Sequence, residues 1–224
     1  LDEKLGVYAF WKPGLNIAPH LIDSCISTMD EAKKLPEQGW QRIRAKHQTG
    51  GRGRRKSIWK SNDGDMIATW NISSEIFQIM APGMIQTIVG SNIAEIIGCH
   101  IKWPNDLINK NGHKLGGILI ETDSSSTNIR IGVGINKTLG EHNGEKTSGW
   151  YEFQPNLESE RLFRQIDAVI SSIFETSPLL PNVINIENIQ LESWKGISKL
   201  MSRGVYTNTK NKNSRVVSIP VASR

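Results

Sequence analysis

Positions 50–55 hold only glycine and arginine, in the order Gly-Gly-Arg-Gly-Arg-Arg, with Gln48 before them and Trp59 after. Such a run fits neither a helix nor a central strand. Glycine inside an element gives up the most conformational entropy, and three permanently charged guanidiniums cannot be buried without partners. The run must be a loop, held at the surface by whatever folds around it. Its glycines let the backbone approach a ligand closely, its arginines offer donor forks for carboxylate or phosphate, and Trp59 offers a flat face. An anionic ligand is one reading. A solvated basic loop, a localisation signal or a nucleic-acid patch are the others that a charge run of this kind allows. The glycines and like charges also predict that residues 49–58 are mobile until an anion orders them.

Regular elements are readable on both sides. The pattern predicts short strands at His20–Asp23 and Trp40–Lys46, and another at Met66–Ile72. Thr28 and Glu31 stand at capping-box spacing ahead of a short helix through Leu35. Pro82–Cys99 carries Met84, Ile85, Ile88, Val89, Ile93, Ile96 and Ile97 at helical spacing and reads as a buried helix. His100–Trp103 stops at Pro104, Leu107–Asn109 continues, and Asn111-Gly112 makes a hairpin turn. Lys114–Thr122 and Asn128–Asn136 read as antiparallel neighbours joined at Ser124-Ser125-Ser126. Their glycines weaken them unless another element, or a ligand, lies close. Residues 137–156 read as an aperiodic surface loop, Leu162–Ile173 as an amphipathic helix, and the stretch from Gly196 as short β pieces with a turn at 209–214. The opening stretch through Ala18 reads as irregular, with a turn at Trp11-Lys12-Pro13-Gly14.

Composition bounds the class. The 224 residues are 38% hydrophobic and 22% charged, as expected of a folded soluble protein. No apolar run reaches membrane-spanning length and no signal peptide is visible. The two cysteines, Cys25 and Cys99, build no disulfide framework, which points to a reducing, cytoplasmic setting. The net charge of +5 suits nucleic acid, anionic nucleotides or an acidic protein partner equally.

Three more clusters bear on the loop. Ser27-Thr28-Met29-Asp30 opens a helix, where hydroxyls and free amides bind an anionic or amide-like group or merely cap. Lys102-Trp103-Pro104-Asn105-Asp106 ends a strand with two oxygen-bearing side chains, suited to a hydrated Mg²⁺ or to an ordinary Asx turn. Lys114 starts a strand beside Gly116 and Gly117, pointing at an anion or at solvent.

In this order, Ser27-Thr28, Gln48–Trp59, Lys102–Asp106, Lys114-Leu115-Gly116-Gly117-Ile118-Leu119 and Gly132–Asn136 resemble the biotin–protein ligases over about half the chain. Leu191–Trp194 is similar to that family's link into a small C-terminal β-domain. The resemblance implies an α+β fold: a mixed sheet with packed helices, shared with lipoate ligases and class II aminoacyl-tRNA synthetases. It also implies a catalytic domain over 1–194 and the start of a small, incomplete β-domain over 195–224. The implied reaction activates biotin with ATP as biotinyl-5′-AMP, then passes it to a lysine of a biotin carboxyl carrier protein.

Carried over residue by residue, the resemblance implies biotin contacts from Ser27, Thr28, Met29, Gln48, Gly51, Arg52, Gly53, Arg54, Lys114, Gly116 and Gly117. ATP or its adenylate would meet Arg52, Arg54, Arg55, Trp59, Asn105, Lys114 and Asn136, with Trp59 stacked on adenine. Arg54, Lys114 and Lys102 would act at the reacting groups, and Asp106 would hold Mg²⁺, directly or through water. Three departures stand out: Lys56-Ser57 where the common pattern continues Gly-Arg, Met29 where many members carry Asn, and one extra residue between Asp106 and Lys114. The implied partner is the carrier domain of acetyl-CoA carboxylase, and a weak homodimer is compatible with the pattern. No membrane is expected, and no DNA, because only about 20 residues precede the first catalytic element, too few for a helix-turn-helix domain. The competing readings are a lipoate or octanoate ligase or transferase, and a non-catalytic biotin sensor.

Overall fold

A computed structural model describes residues 18–35, 41–73, 82–102, 104–123, 128–175, 183–185, 206–211 and 214–218. Strand β1 (Ala18–Cys25) leads through helix α1 (Thr28–Lys33) to β2 (Gln41–Gln48), which runs parallel to β1. The glycine–arginine segment folds as a two-stranded antiparallel clip, β3 (Gly51–Arg52) against β4 (Ile58–Trp59), around a single 3₁₀ turn at Arg54–Lys56. Then come β5 (Met66–Ser73), α2 (Pro82–Ile97), β6 (His100–Lys102), β7 (Asp106–Ile108), β8 (Lys114–Thr122) and β9 (Asn128–Ile135). A short hairpin, β10 (Gly140–His142) and β11 (Glu145–Thr147), precedes α3 (Ser159–Glu175). One mixed sheet takes the order β1-β2-β5-β9-β8-β11-β10, with β7 also paired to β8 and β6 to β7.

The two faces of this sheet do different work. On one, Met66, Ala68, Trp70 and Ile72 of β5 and Ile131, Val133 and Ile135 of β9 join the apolar stripes of α2 and α3 in a single core. Trp70 stacks on Phe163 of α3 at 5.9 Å between ring centroids, and its indole N–H donates to Asp167 at 2.8 Å. Arg42 pairs with the same carboxylate, so the buried charge is met by two donors. The other face carries α1 and the clip. There Ile67, Gly134 and Gly117 form one rung across β5, β9 and β8, and Thr69, Gly132 and Leu119 the next.

Two expectations need correction. The cap of α1 is Ser27, whose Oγ accepts from the Met29 amide at 3.3 Å; Thr28 is the first helical residue. The Thr28 amide is satisfied from outside the helix, by Gln48 Oε1 at 2.8 Å, so a strand residue serves as a second cap. Residues 137–156 are ordered. Asn143 and Gly144 both have positive φ and form the two-residue turn of the β10–β11 hairpin, and Trp150 is fully buried with its N–H on the Leu157 carbonyl at 2.9 Å.

The β pieces expected from Gly196 onward include β13 (Tyr206–Asn211) and β14 (Ser214–Ser218), which join an unanticipated β12 (Val183–Asn185) in a separate three-stranded antiparallel sheet, order β12-β14-β13. Its first strand lies ahead of residue 195. The expected turns at 11–14 and 124–126, residue Trp103, and the link at 191–194 lie outside the described residues.

Candidate functional site

A cavity of about 500 Å³ opens between the α1 face of the sheet and the clip. Its floor is the pair of glycine-bearing rungs. The Thr69–Gly132–Leu119 rung underlies one end, where Ser27, Thr28, Met29 and Gln48 line the wall. The Ile67–Gly134–Gly117 rung underlies the other, lined by Arg54, Arg55, Asn105, Asp106 and Lys114. Trp59 lies flat against Gly134: a Cβ built there would sit 2.6 Å from the indole ring.

The α1 end is polar but largely self-satisfied. The Thr28 hydroxyl donates to Gln48 Oε1 at 3.2 Å and receives the Thr69 hydroxyl at 2.9 Å. What this end offers a ligand is the Ser27 hydroxyl hydrogen and the Gln48 amide nitrogen, two donors beside the buried Met29 side chain. A carbonyl-bearing ring framed by apolar surface matches that arrangement.

The opposite end is cationic. Lys114 Nζ stands 2.8 Å from Asp106 Oδ1 and 5.7 Å from the Trp59 ring centroid. Asn105 Nδ2 donates to Asp106 Oδ1 at 3.3 Å, and the Arg54 guanidinium donates to Asn105 Oδ1 at 3.2 Å. Arg54 therefore touches only a neutral group. Arg55, at φ 53°, holds the tight left-handed bend that turns the clip. Among the described residues no three His, Cys, Asp or Glu side chains come together as a metal cage. Asp106 and Asn105 are the lining side chains that could meet a hard cation.

Arg52 differs from its neighbours. It donates to both oxygens of Glu121 at 2.7 and 2.9 Å and pairs with Asp30 at 2.8 Å. Glu121's hydrogen bonds push this guanidinium's pKa still higher, and in return Arg52 holds the Glu121 carboxyl below the usual carboxylate range, against the opposing effect of burial. A pH dependence follows. A depressed folded-state pKa gives stability that is complete above the unfolded value of about 4.3 and is lost as pH falls through the folded one. The difference in thermal midpoint between the parent and Glu121→Gln is expected to be constant from pH 8 to about 5 and to shrink below about 4. Arg130 and Asp123 also act on this carboxylate, and Asp30 shares Arg52 with it; a difference that persists undiminished at pH 3 would mean the ion pair is not its source.

Thirteen of the residues implied by the sequence resemblance line the cavity: Ser27, Thr28, Met29, Gln48, Arg52, Gly53, Arg54, Arg55, Trp59, Asn105, Asp106, Lys114 and Gly117. Four do not. Lys102 is exposed on β6. Gly51 sits beneath the Gln48 side chain, and Gly116 packs on the Gly134 carbonyl. Asn136 is buried and donates to the Ser148 carbonyl at 3.1 Å, bracing the loop after β9. Gly132 and Gly134 are wall residues the site assignment lacked, although glycines inside an apolar strand were the available signal.

The matching segment and the cavity coincide. Residues 24–136 match the model of the biotin/lipoate A/B protein ligase family. The chain is 33% identical over 155 residues to the chloroplastic biotin–protein ligase 1 of Arabidopsis thaliana, covering 63% of this chain and 39% of that one. It is 35% identical over 131 residues to the bifunctional ligase/repressor BirA of Bacillus spizizenii, covering 52% and 40%. The chain thus spans about two fifths of the length of these curated relatives. Its fold is like that of the Aquifex aeolicus biotin protein ligase solved with biotin and ATP, with a TM-score of 0.57 at 19% identity over 71% of this chain and 73% of that one. With half its length on the family model, the chain belongs to the biotin/lipoate A/B protein ligase family.

Proposed function

We propose that this chain is the catalytic part of a biotin–protein ligase, forming biotinyl-5′-AMP from biotin and ATP and passing biotin to a lysine of a carboxyl carrier protein. The observation that carries the proposal is the polarity of the cavity: two neutral donors beside apolar wall at one end, and Arg54, Arg55 and Lys114 with a flat indole at the other. Biotin has a carbonyl-bearing ring at one end and a carboxylate at the other. Laid along the rungs, its ring meets Ser27 and Gln48 and its carboxylate meets Lys114.

The chemistry assigns work to these residues. A biotin carboxylate oxygen attacks the α-phosphorus, and the bond to pyrophosphate breaks. Both partners are anions, and the charges of Arg54 and Arg55, with that of Lys114 shared with Asp106, offset their repulsion. Mg²⁺ would neutralise phosphate charge with Asp106 and Asn105 as its protein neighbours. Trp59 supplies a face for adenine, and its indole N–H, without a partner among the described residues, is a donor that a ligand can satisfy. In the second half-reaction a carrier lysine nitrogen bonds to the acyl carbon, AMP leaves with the bonding electrons, and the amine proton goes to solvent or a nearby base. At pH 7 only about one lysine in 2,500 is neutral, so the closed cavity must shield the anhydride from water while it waits.

A lipoate or octanoate ligase is the second reading, favoured by Met29 and the apolar Ile67 and Leu119 on the cavity face. One assay separates them. Pyrophosphate release is measured with ATP, Mg²⁺ and either biotin, lipoate or octanoate, followed by the mass of a carrier domain. The proposal predicts biotin-dependent release and one added biotin; release with lipoate or octanoate alone would replace it with the second reading.

A further inference from the structure

Of the clip's three arginines, only Arg52 has its charge fully committed before any ligand arrives. Arg52 is one member of a six-residue ionic chain. Lys33 of α1 meets Asp123 at 3.6 Å, and Asp123 takes two hydrogen bonds from Arg130 of β9 at 2.7 and 3.2 Å. Arg130 reaches Glu121 of β8 at 3.9 Å, Glu121 holds Arg52, and Arg52 reaches back to Asp30 of α1. Three cations meet three carboxylates, so the chain is neutral and leaves no charge over for phosphate. It joins α1, the clip, β8 and β9, the pieces that frame the cavity.

We infer that Glu121 and Asp30 are positioning residues: they fix Arg52 as a latch that seats the clip on the sheet ahead of ligand, so that Arg54 and Arg55 alone carry the clip's phosphate contacts. Geometry favours this over a phosphate role for Arg52. A guanidinium already bound fork-to-fork to a carboxylate gives up charge-assisted hydrogen bonds to reach a phosphate, whereas Arg54 gives up only one bond to a neutral amide. The latch also divides the clip. Residues 50–53 are held by the ionic chain and by the Gly50 amide on the Ile26 carbonyl at 2.7 Å, while 54–57 are left to respond to an anion.

The inference rests on the ligase reading for one of its two readouts, and the other needs no substrate. Hydrogen exchange at 50–53 in the ligand-free protein is compared among the parent, Glu121→Gln, Arg52→Ala and the double variant. Exchange is expected to rise about five- to tenfold in each single variant and no further in the double, because all three break one unit. Asp30→Asn severs only the partly exposed arm and gives a smaller rise, and it serves if Glu121→Gln fails to fold. The second readout is adenylation. A latch predicts that Glu121→Gln and Arg52→Ala both release biotinyl-AMP faster, with the KM for ATP within about twofold of the parent. A phosphate-binding Arg52 predicts opposite signs: Arg52→Ala raises that KM, and Glu121→Gln, which frees the guanidinium, lowers it. Unchanged exchange at 50–53 in Glu121→Gln and Asp30→Asn, or opposite shifts in KM, overturns the latch. Absence of biotin-dependent adenylation in the parent sinks the ligase reading and leaves the exchange result standing.

Discussion

Lys114→Ala is expected to cut biotin-dependent pyrophosphate release by about 10²–10³-fold, the range for losing one preorganised charge at a reacting centre. The side chain starts β8 at the cavity's cationic end, with its ammonium between the Asp106 carboxylate and the Trp59 face. Nothing else among the described lining residues brings a lysine there. Stability is expected to change by no more than about 0.5 kcal/mol, since the Asp106 left behind is partly exposed and such pairs contribute little. Lys114→Arg keeps the charge but not the compact shape of an ammonium, and is expected to recover only part of the rate. Because Lys114 meets the bound biotin carboxylate as well as the charge of the transition state, kcat/KM is expected to fall further than kcat, with a rise in the KM for biotin. If Lys114→Ala turns over within about threefold of the parent, the reacting groups are elsewhere in the cavity.

The helical spacing at 82–99 and the apolar runs at 66–72, 114–122 and 128–136 were readable because burial demands apolar side chains there, and the sheet and α2 follow that reading closely. The β10–β11 hairpin was not readable in the same way. Its strands, Gly-Glu-His and Glu-Lys-Thr, are exposed and carry no apolar alternation, and the only signal was the Asn143-Gly144 dipeptide. The site shows a similar divide. Residue types that carry charge or donors (Arg54, Lys114, Gln48) were assigned to the cavity from sequence and line it. Arg52 was assigned with them, and its partners could not have been foreseen: Asp30 is 22 residues away and Glu121 is 69, so only the packing of α1 and the position of β8 in the sheet bring those carboxylates to it. Asn136, assigned to the nucleotide, lies outside the cavity lining for a related reason. A buried amide at a strand end satisfies backbone as readily as it meets a ligand, and here it holds the Ser148 carbonyl.

Gly134→Ala is expected to raise the KM for ATP by about tenfold or more, while Gly132→Ala changes biotin and ATP binding by less than about threefold. The two glycines are a useful pair because the added methyl meets its neighbour at nearly the same distance. At Gly134 the new Cβ would lie 2.6 Å from Trp59 Cε2, 2.8 Å from Cζ2 and 2.9 Å from Nε1. A rigid bicyclic ring cannot bend out of that contact, so it has to lift by about 1 Å, taking β4 and the clip with it. At Gly132 the Cβ would lie 2.7 Å from Met29 Sδ. Methionine has three rotatable bonds and a soft sulfur, and it moves aside at small cost. The methyl thus displaces the indole face in one variant and only a flexible end in the other. Thermal stability is expected to fall little in either, since the Gly134 methyl enters the cavity wall rather than the α2–α3 core. Intrinsic fluorescence adds a readout that needs no turnover: a lifted Trp59 becomes more exposed to quencher in Gly134→Ala and stays as it was in Gly132→Ala. Equal effects of the two substitutions on the KM for ATP would show that the seat of Trp59 on β9 does not shape the nucleotide end of the cavity.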